Sequence, residues 1–426
     1  MTNTQINDKI LELANYLKID NKCVAHNARL QSIQINGAVI KNFSFKLFNE
    51  YKLSFFNCKF LCEINEAPGF FEIENPVYIY GCTFEENVIS YNIKFKSNVV
   101  IAYCRFNKNF YFEANTFCNS SNFERNFYNY ASFKKSHFEK NVTFYNSTFK
   151  GLDFSQAIFN ENLNIVNTKL NFTFSNLEEK IEQEYEEFNK NKKEEDQKSL
   201  DKFANDFRDS FRTFKSALIK DNNALDASNF HKYELYCKEI ELKNKKYKTL
   251  KDKMDKWQLI FYRKLCDHHT DILQSLNSLI LVIGIFVISS VAMVFGFNYS
   301  LGYKPILEHW YFSLDFYNHH INSIIQDNYL FMMAINIMIL FIYLGLIGFA
   351  LCLKYMRKFF IIISYAITLS VLVVSPKILI PAMGFFTDKR AILDPLSAIG
   401  GIYTIVFGFV VFSFIKTIRK NSIVPS

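Results

Sequence analysis

Residues Phe133–Phe159 read FKKSHFEKNVTFYNSTFKGLDFSQAIF, and a phenylalanine returns every five residues in this stretch, with one step of six. On an α-helix such a step would carry the rings around the axis, and on a flat strand it would place successive rings on opposite faces. The spacing therefore predicts a chain that turns a corner about every five residues. Four such sides close one coil, with the rings inside and strand-like hydrogen bonds between coils.

Small or compact side chains stand two residues before most of these rings, as at Ala131, Ser136 and Ser147. A narrow interior needs such fillers beside each large ring. The pattern continues less regularly in both directions. The predicted interior side chains are Phe106, Phe117, Phe123, Phe133, Phe138, Phe144, Phe149, Phe154, Phe159 and Ile165.

On these spacings, residues Phe43 to Phe172 resemble a pentapeptide-repeat domain of the Phe-centred kind. The resemblance implies a right-handed quadrilateral β-helix, a solenoid of roughly six coils that rise about 4.8 Å each. We expect residues 1–42 to form an N-terminal cap segment and residues 43–172 to form the β-helix.

Four uncharged runs occupy the last third of the chain, and each approaches the length of about 20 residues that crosses a bilayer as a helix. They predict an all-α membrane domain with four transmembrane helices within 271–420. The runs are 272–303, 328–353, 359–376 and 395–415. Lysine and arginine cluster before the first run, between the second and third, and after the fourth. By the positive-inside rule, both termini and the β-helix are expected on the cytoplasmic side of a bacterial inner membrane.

Residues 173–270 are charged, almost free of glycine and proline, and helical in pattern. Phe207, Phe211, Phe214 and Leu218 share one helix face, and the polar segment 221–226 predicts a turn into a second helix. We therefore expect a helical hairpin as the linker between the solenoid and the membrane. The whole arrangement resembles membrane-bound pentapeptide-repeat proteins, a family whose biochemical role is largely undefined.

The densest positive run of the chain precedes the first apolar run. Each of these lysines can gain about 1 kcal/mol near an anionic leaflet, so we expect contact with lipid headgroups. The alternative is a solvated helix face that only sets the topology. The residues are Lys245, Lys246, Lys248, Lys251, Lys253 and Lys256.

Several classes of function find no support in the sequence. It has no nucleophile elbow, phosphate-binding glycine loop or dinucleotide fingerprint, so we predict no enzyme and no cofactor. The nine cysteines form no paired CxxC motif, which argues against a metal site. Residues 43–172 hold 13 Lys and Arg against 12 Asp and Glu, so the rod lacks the negative charge of a DNA mimic, and no nucleic acid is expected.

Two functional hypotheses remain. In the first, the protein is a membrane-anchored scaffold whose β-helix binds an unknown cytoplasmic protein or a second copy of itself. In the second, the spans assemble around a pore that conducts ions or solutes, with the β-helix as its regulatory domain. Pro376, Pro381 and Gly384 would break a helix, and they either end the third span or line that pore.

Overall fold

The structure is a computed structural model that describes residues 3–27, 32–66, 70–170, 172–190, 192–193, 195, 197–304, 310–352, 354–374 and 394–421. The chain divides into two compact units, residues 1–256 and residues 257–426. The predicted helix breakers Pro376, Pro381 and Gly384 lie outside the described residues.

The first unit is built around a β-solenoid of about six turns. Its first sheet has eight strands, paired in parallel except for the antiparallel first pair. In spatial order these are β1 (Val24–Asn27), β2 (Ser32–Asn36), β4 (Leu53–Phe56), β8 (Val77–Tyr80), β12 (Val99–Ala102), β15 (Ser121–Asn122), β18 (Val142–Thr143) and β22 (Leu163–Asn164). The parallel ladder begins at Ser32, before the predicted start of the β-helix at Phe43.

Two further sheets complete the coils, and the second sheet has two branches that share its longest strands. Its main path is β3 (Val39–Ile40), β5 (Lys59–Phe60), β9 (Thr83–Phe84), β13 (Arg105–Glu113), β16 (Phe127–Ser132) and β19 (Thr148–Phe149). The other branch adds β6 (Ile64–Glu66), β10 (Val88–Tyr91) and β20 (Leu152–Asp153). The third sheet contains β7 (Phe71–Ile73), β11 (Ile93–Phe95), β14 (Thr116–Phe117), β17 (His137–Phe138) and β21 (Ile158–Phe159).

The recurring rings fill the interior of these coils. Nine of the ten predicted interior side chains, all but Phe159, are at most 2 % exposed. Rings one coil apart stack face to face, as Phe117 does on Phe138, with 4.6 Å between the ring centroids. Phe159 stacks on Phe138 at 5.0 Å but stays partly exposed, because its strand is the last of the third sheet.

The small corner residues also satisfy the backbone where the chain turns. The Ser147 hydroxyl accepts a hydrogen bond from the Asn126 amide at 3.1 Å and donates one to the Phe123 carbonyl at 2.8 Å. Ser136 bonds the Asn115 amide and the Phe112 carbonyl in the same way. Each serine therefore bridges two coils at a buried position, where an unpaired backbone group would cost about 1–3 kcal/mol.

Helices cover both ends of the solenoid. Helix α1 (Asn3–Leu17) buries Leu13, Ala14 and Leu17 in the solenoid core at the first end. A 3₁₀ turn at Asn21–Cys23 follows α1, and the short helix α2 (Leu47–Glu50) comes later in the chain. The far end is covered by α3 (Phe174–Asn189), α4 (Leu200–Lys220) and α5 (Ala224–Asn244). Helices α4 and α5 form a hairpin. The ring of Phe214 in α4 packs against that of Phe154 in the solenoid, with 4.9 Å between the ring centroids. This part of the predicted linker is therefore a cap that shares the core of the solenoid.

Helix α6 (Leu250–Cys266) precedes the apolar third of the chain, which is helical throughout its described residues except for the turns that join the helices. The helices are α7 (Ile272–Ser300), α8 (Trp310–Asp327), α9 (Tyr329–Cys352), α10 (Lys354–Val374) and α11 (Pro395–Asn421). Within the described residues, three segments are long and apolar enough to cross a membrane, namely Ile272–Ser300, Tyr329–Leu351 and Pro395–Arg419. Helix α10 covers most of the third predicted span but is not among these three, and α8 was not predicted.

Replacing Phe133 with alanine tests the stacked interior. Its ring is fully buried, and its centroid lies 5.0 Å from that of Phe154 and 5.1 Å from those of Phe123 and Phe144. We expect Phe133→Ala to lower the free energy of unfolding by about 3–5 kcal/mol, because it leaves a cavity among rigid rings. Denaturation of the full-length protein in detergent, followed by circular dichroism, measures this change.

Phe70→Ala is the matched control, because Phe70 is 65 % exposed and its loss should change stability by less than about 0.5 kcal/mol. Equal effects of the two substitutions would contradict a solenoid held together by its interior rings.

Candidate functional site

The first sheet presents an outer surface that differs in charge from the other two. One register of side chains across it contains no Asp, Glu, Lys, Arg or His in the residues described. These are Gln34, Ser54, Tyr78, Val100, Asn122, Thr143 and Asn164. We call this surface the uncharged face.

The other sheets carry ion pairs between coils. On the third sheet, Lys96 reaches Glu72 and Glu74, and on the second sheet Lys59 pairs with Glu85 at 2.8 Å. Depletion of charge together with enrichment in tyrosine and arginine is typical of the centre of a protein interface. The uncharged face therefore differs from its neighbours in the way that an interface differs from the rest of a surface.

A column of aromatic rings and one guanidinium runs along the corner that borders the uncharged face. The ring of Tyr80 lies 6.4 Å from that of Phe56 and 4.7 Å from that of Tyr103. The Arg125 guanidinium lies 5.0 Å from the Tyr103 ring and 6.0 Å from the Tyr145 ring. We call these five residues the tyrosine–arginine ladder. At about 4.8 Å per coil, its four steps extend about 19 Å.

Two members of the ladder occupy a backbone conformation that their residue types disfavour. Tyr103 and Arg125 have φ angles of 58° and 54°, in the left-handed region that costs bulky residues on the order of 1–3 kcal/mol. The corresponding corners of neighbouring coils carry Gly81 and Asn146, which tolerate this region better. A tyrosine and an arginine at these two corners are therefore not explained by backbone preference.

Polar contacts hold the ladder side chains in place. Arg125 Nη1 donates to the Tyr103 hydroxyl, and Asn167 Nδ2 donates to the Tyr145 hydroxyl at 3.3 Å. Desolvation and, to a smaller extent, the hydrogen bond with Tyr103 raise the pKa of the Tyr80 hydroxyl. Tyr80 is therefore neutral at physiological pH. The ladder offers ring faces, hydroxyls and one cation in a fixed arrangement, which suits binding more than catalysis.

A second polar cluster lies where the solenoid meets α3. Burial raises the pKa of Glu113, whose carboxylate accepts a hydrogen bond from the Ser132 hydroxyl. Burial also raises the pKa of Glu184 in α3, which pairs with Lys180 at 2.8 Å. Carboxylates with raised pKa values bind protons more readily in the folded chain than in the unfolded chain.

The same cluster continues to α4. Asp206 contacts Lys198 and also Lys134 of the solenoid, the latter at 3.4 Å. Burial and, to a smaller extent, repulsion from the positive charge of Lys134 lower the pKa of Lys198 to about 8. The hydroxyl of Ser210 in α4 accepts a hydrogen bond from the Phe154 amide at 2.7 Å. We call this cluster the polar interlock, because the Lys134–Asp206 ion pair and the hydrogen bond from Phe154 to Ser210 join α4 to the solenoid within it. Its residues are Glu113, Ser132, Lys134, Lys180, Glu184, Lys198, Asp206 and Ser210.

The interlock shows no arrangement suited to a metal. Within the described part of the chain, no group of three or more His, Cys, Asp or Glu side chains could hold a metal ion. The acids of the interlock are paired with lysines or hydroxyls of the chain itself. We therefore read the interlock as a structural contact and the tyrosine–arginine ladder as the candidate binding site.

The structure places the predicted lipid-contact lysines in different surroundings. Lys245 pairs with Asp252 at 2.8 Å, and Lys248 Nζ donates to the Lys243 carbonyl at 2.7 Å. Lys246 lies 5.8 Å from the Tyr247 ring. The last three begin α6: Lys251 and Lys253 are exposed, and Lys256 is half-buried. The positive run is thus divided between the turn after α5 and the first turns of α6.

A model of the family described as Pentapeptide repeats (9 copies) matches residues 126–169. Residues 126–169 are pentapeptide repeats. The pentapeptide-repeat solenoid contains the coils that carry Tyr128, Phe133 and Phe149, and the parallel ladders continue the same coil back to Ser32. No curated protein and no solved structure matches the chain.

Neither the ladder nor the interlock was predicted from the sequence. The ladder has a signal, because Tyr80, Tyr103 and Arg125 follow one another at about the length of one coil. Comparing outward positions at that spacing would have aligned them. The interlock has no such signal, because its members come from separate strands and helices that meet only in the folded chain.

The interlock predicts how stability depends on pH. The raised pKa of Glu113 means that the folded state binds its proton more tightly, so its contribution to stability is lost as pH rises from the ordinary value of about 4.3 through the folded pKa. Glu113→Gln cannot ionise and still accepts from Ser132. We expect it to weaken the fall of the thermal midpoint as the pH rises above about 4.3.

Thermal unfolding of the full-length protein in detergent measures the midpoint across this range. Glu63→Gln is the control, because Glu63 is exposed on the same solenoid, and it should leave the profile unchanged. A Glu113→Gln profile that coincides with that of the unsubstituted chain would contradict the burial of Glu113 as an acid.

Proposed function

We propose that this protein is a membrane-anchored pentapeptide-repeat scaffold whose uncharged face binds a cytoplasmic protein. The observation that carries the proposal is the tyrosine–arginine ladder, in which Tyr103 and Arg125 occupy left-handed corners. Tyrosine and arginine are the residues most often found among the few that dominate binding energy at interfaces. The rod, the apolar helices and the repeat match all fit a scaffold.

The closed ends of the solenoid favour binding through its sides. An open end would present unpaired strand edges that could pair with another chain, but α1 and the hairpin of α4 and α5 share the core at the two ends. A partner therefore meets a lateral face. The uncharged face is the side with both low charge and exposed rings, Tyr78 and Tyr80 being 38 % and 41 % exposed.

The charge of this face selects a protein rather than a nucleic acid. Binding to a phosphate backbone relies on many lysine and arginine contacts, whereas in the ranges described the ladder contributes Arg125 alone. Mimicry of a nucleic acid would need rows of carboxylates, and the described residues that define the uncharged face include none. A folded protein with a flat, weakly charged surface is the matching partner.

For the membrane part we propose four spans, both termini in the cytoplasm of a bacterium, and a right-handed, four-sided coil for the solenoid. The three apolar helices support anchoring, and the apolar stretch of α10 supports a fourth span. Lys354, Arg357 and Lys358 stand at the start of α10, and this cationic cluster favours the cytoplasmic side. The two branches of the second sheet support four sides per coil.

Photocrosslinking tests the binding face. A benzoylphenylalanine introduced in place of Tyr103 in the full-length protein should give one adduct of defined mass in cells. We expect Arg125→Asn in the same chain to reduce that adduct several-fold, because it removes the cation at the centre of the ladder. The fold should persist, since Asn146 and Asn167 occupy the corresponding corners of the next coils, and stability should change by less than about 1 kcal/mol.

The matched control places the crosslinker at Lys94, a partly exposed position on the third sheet, and should give no adduct of that mass. Lys94→Asn, which also removes one cation, should leave the Tyr103 adduct intact. Absence of an adduct at Tyr103, or the same adducts from both positions, would refute binding at the ladder. An adduct with twice the mass of the chain would identify the partner as a second copy.

The topology has its own test. An even number of spans returns the chain to the side where it started, so four spans together with a cytoplasmic N-terminus place both termini in the cytoplasm. We expect tags at either terminus to resist a protease added outside intact spheroplasts and to be cut after lysis. Digestion of the C-terminal tag alone in intact cells would indicate an odd number of spans.

A further inference from the structure

Helix α6 carries an apolar stripe that the described residues leave exposed. Its residues 250, 254, 257 and 261 recur at helical spacing and share one face. Leu250, Met254 and Trp257 are 79 %, 71 % and 69 % exposed, and Phe261 is 40 % exposed. The apolar faces of α4 and α5 are buried in the solenoid core instead. An exposed stripe of this size on a regular helix marks a site of contact with a partner or a membrane.

The start of this helix is fixed by its own side chains. The Thr249 hydroxyl accepts a hydrogen bond from the Asp252 amide at 3.1 Å, and the Asp252 carboxylate accepts one from the Thr249 amide at 2.8 Å. This reciprocal pair is a capping box, with aspartate in the acidic position. Lys245 adds an ion pair to Asp252 at 2.8 Å. The stripe is therefore part of a helix that begins at a defined residue.

Cations border the stripe. Lys251 and Lys253 are both exposed, and at 100° per residue they stand on opposite sides of Leu250. Long lysine side chains can lie along apolar surface and place their ammonium groups at the level of phosphates. A helix with Leu, Met, Trp and Phe on one face and lysines at its margins has the composition of helices that lie in a membrane interface.

Helix α6 ends at Cys266, and five residues separate it from the first apolar helix, α7. Asp267, His268 and His269 have φ angles of 48°, 55° and 66°, so three consecutive residues leave the right-handed helical conformation. Helix α7 starts anew at Ile272, where the Asp271 carboxylate caps the Gln274 amide at 2.8 Å. The break makes α6 and α7 separate helices. Helix α6 can therefore run along the bilayer surface while α7 crosses it, and hydrogen bonds from Gln274 to the Arg263 and Lys264 carbonyls hold the two helices together.

We propose that α6 lies in the plane of the bilayer surface and binds acidic phospholipid. The stripe of Leu250, Met254, Trp257 and Phe261 enters the boundary between headgroups and acyl chains, and Lys251 and Lys253 contact the phosphates. This inference rests on the proposed membrane embedding of α7. Lipid is the occupant because the stripe ends at Phe261, eleven positions before the proposed span α7 begins at Ile272, and because its margins are cationic.

Tryptophan fluorescence tests the proposal, because the chain has two tryptophans and Trp310→Phe leaves Trp257 alone. The full-length protein is reconstituted in vesicles of phosphatidylcholine and phosphatidylglycerol that contain lipid brominated at shallow or deep acyl positions. We expect Trp257 to be quenched several-fold more by shallow than by deep bromines and to resist aqueous iodide. Its quenching should weaken when phosphatidylglycerol is omitted.

The matched control is Asp255→Trp in a chain with Trp257→Phe and Trp310→Phe, which places the probe on the other side of α6. It should be quenched by iodide and little by bromine. The proposal would be overturned if iodide quenched the probes at 255 and 257 equally, or if deep bromines quenched Trp257 more strongly than shallow ones. Protection of Trp257 from both iodide and bromine would also overturn it. Resistance to carbonate extraction is measured on the same samples, so that a failure of membrane embedding is distinguished from a failure of the surface helix.

Discussion

The structure depends on the agreement between two distances, the spacing of stacked rings and the spacing of hydrogen-bonded strands. Strands pair about 4.8 Å apart. In the column formed by Phe60, Phe84, Phe106, Tyr128 and Phe149, successive ring centroids are 4.4, 4.7, 5.0 and 4.9 Å apart, with the rings nearly parallel. Because both contacts have the same period, each coil that forms its backbone bonds also completes the stack. The two interactions stabilise the same geometry and leave little freedom for another register.

This agreement also explains the unusual corners. Many corner residues other than glycine have positive φ, among them Tyr103, Arg125, Lys135 and Gln156. Such residues persist only where the surrounding structure fixes them, and here the hydrogen bonds and stacks on both sides of each corner do so. The interior therefore sets the backbone, while the identity of an outward corner side chain is left to other constraints. In the proposed function, Tyr103 and Arg125 are the corner residues assigned to binding.

The sequence predicted the interior because its period is local: a ring every five residues is visible within a single stretch. It also predicted one apolar face on the hairpin, with Phe207, Phe211, Phe214 and Leu218, all of which are buried. It missed what that face packs against, since Phe154 and Phe214 are far apart in the chain. Charge and apolar length indicated membrane helices but gave no reason to expect α8, whose apolar and polar residues alternate too closely to stand out as a run.

The candidate site was harder to predict for a related reason. Outward side chains align from coil to coil, but the coils differ slightly in length. The column of Tyr80, Tyr103 and Arg125 can therefore be recognised only when the pairing register of the strands is known. The polar interlock depends on the docking of α3 and α4, which follows from surface shape as well as from pattern. Interior periodicity thus identifies the architecture, whereas the surfaces that the architecture exposes require the folded chain.

The two caps have a consequence for how such a rod can change its length. Helix α1 packs at the first end of the solenoid, α3 and α4 pack against its later coils as far back as Lys134, and the coils between repeat the same kinds of contact with their neighbours. A duplication of one whole coil between the caps would add one rung to each stack and leave both terminal contacts intact. Growth or shortening by complete turns is therefore compatible with the fold, whereas an insertion of partial length would rotate every later ring out of its column.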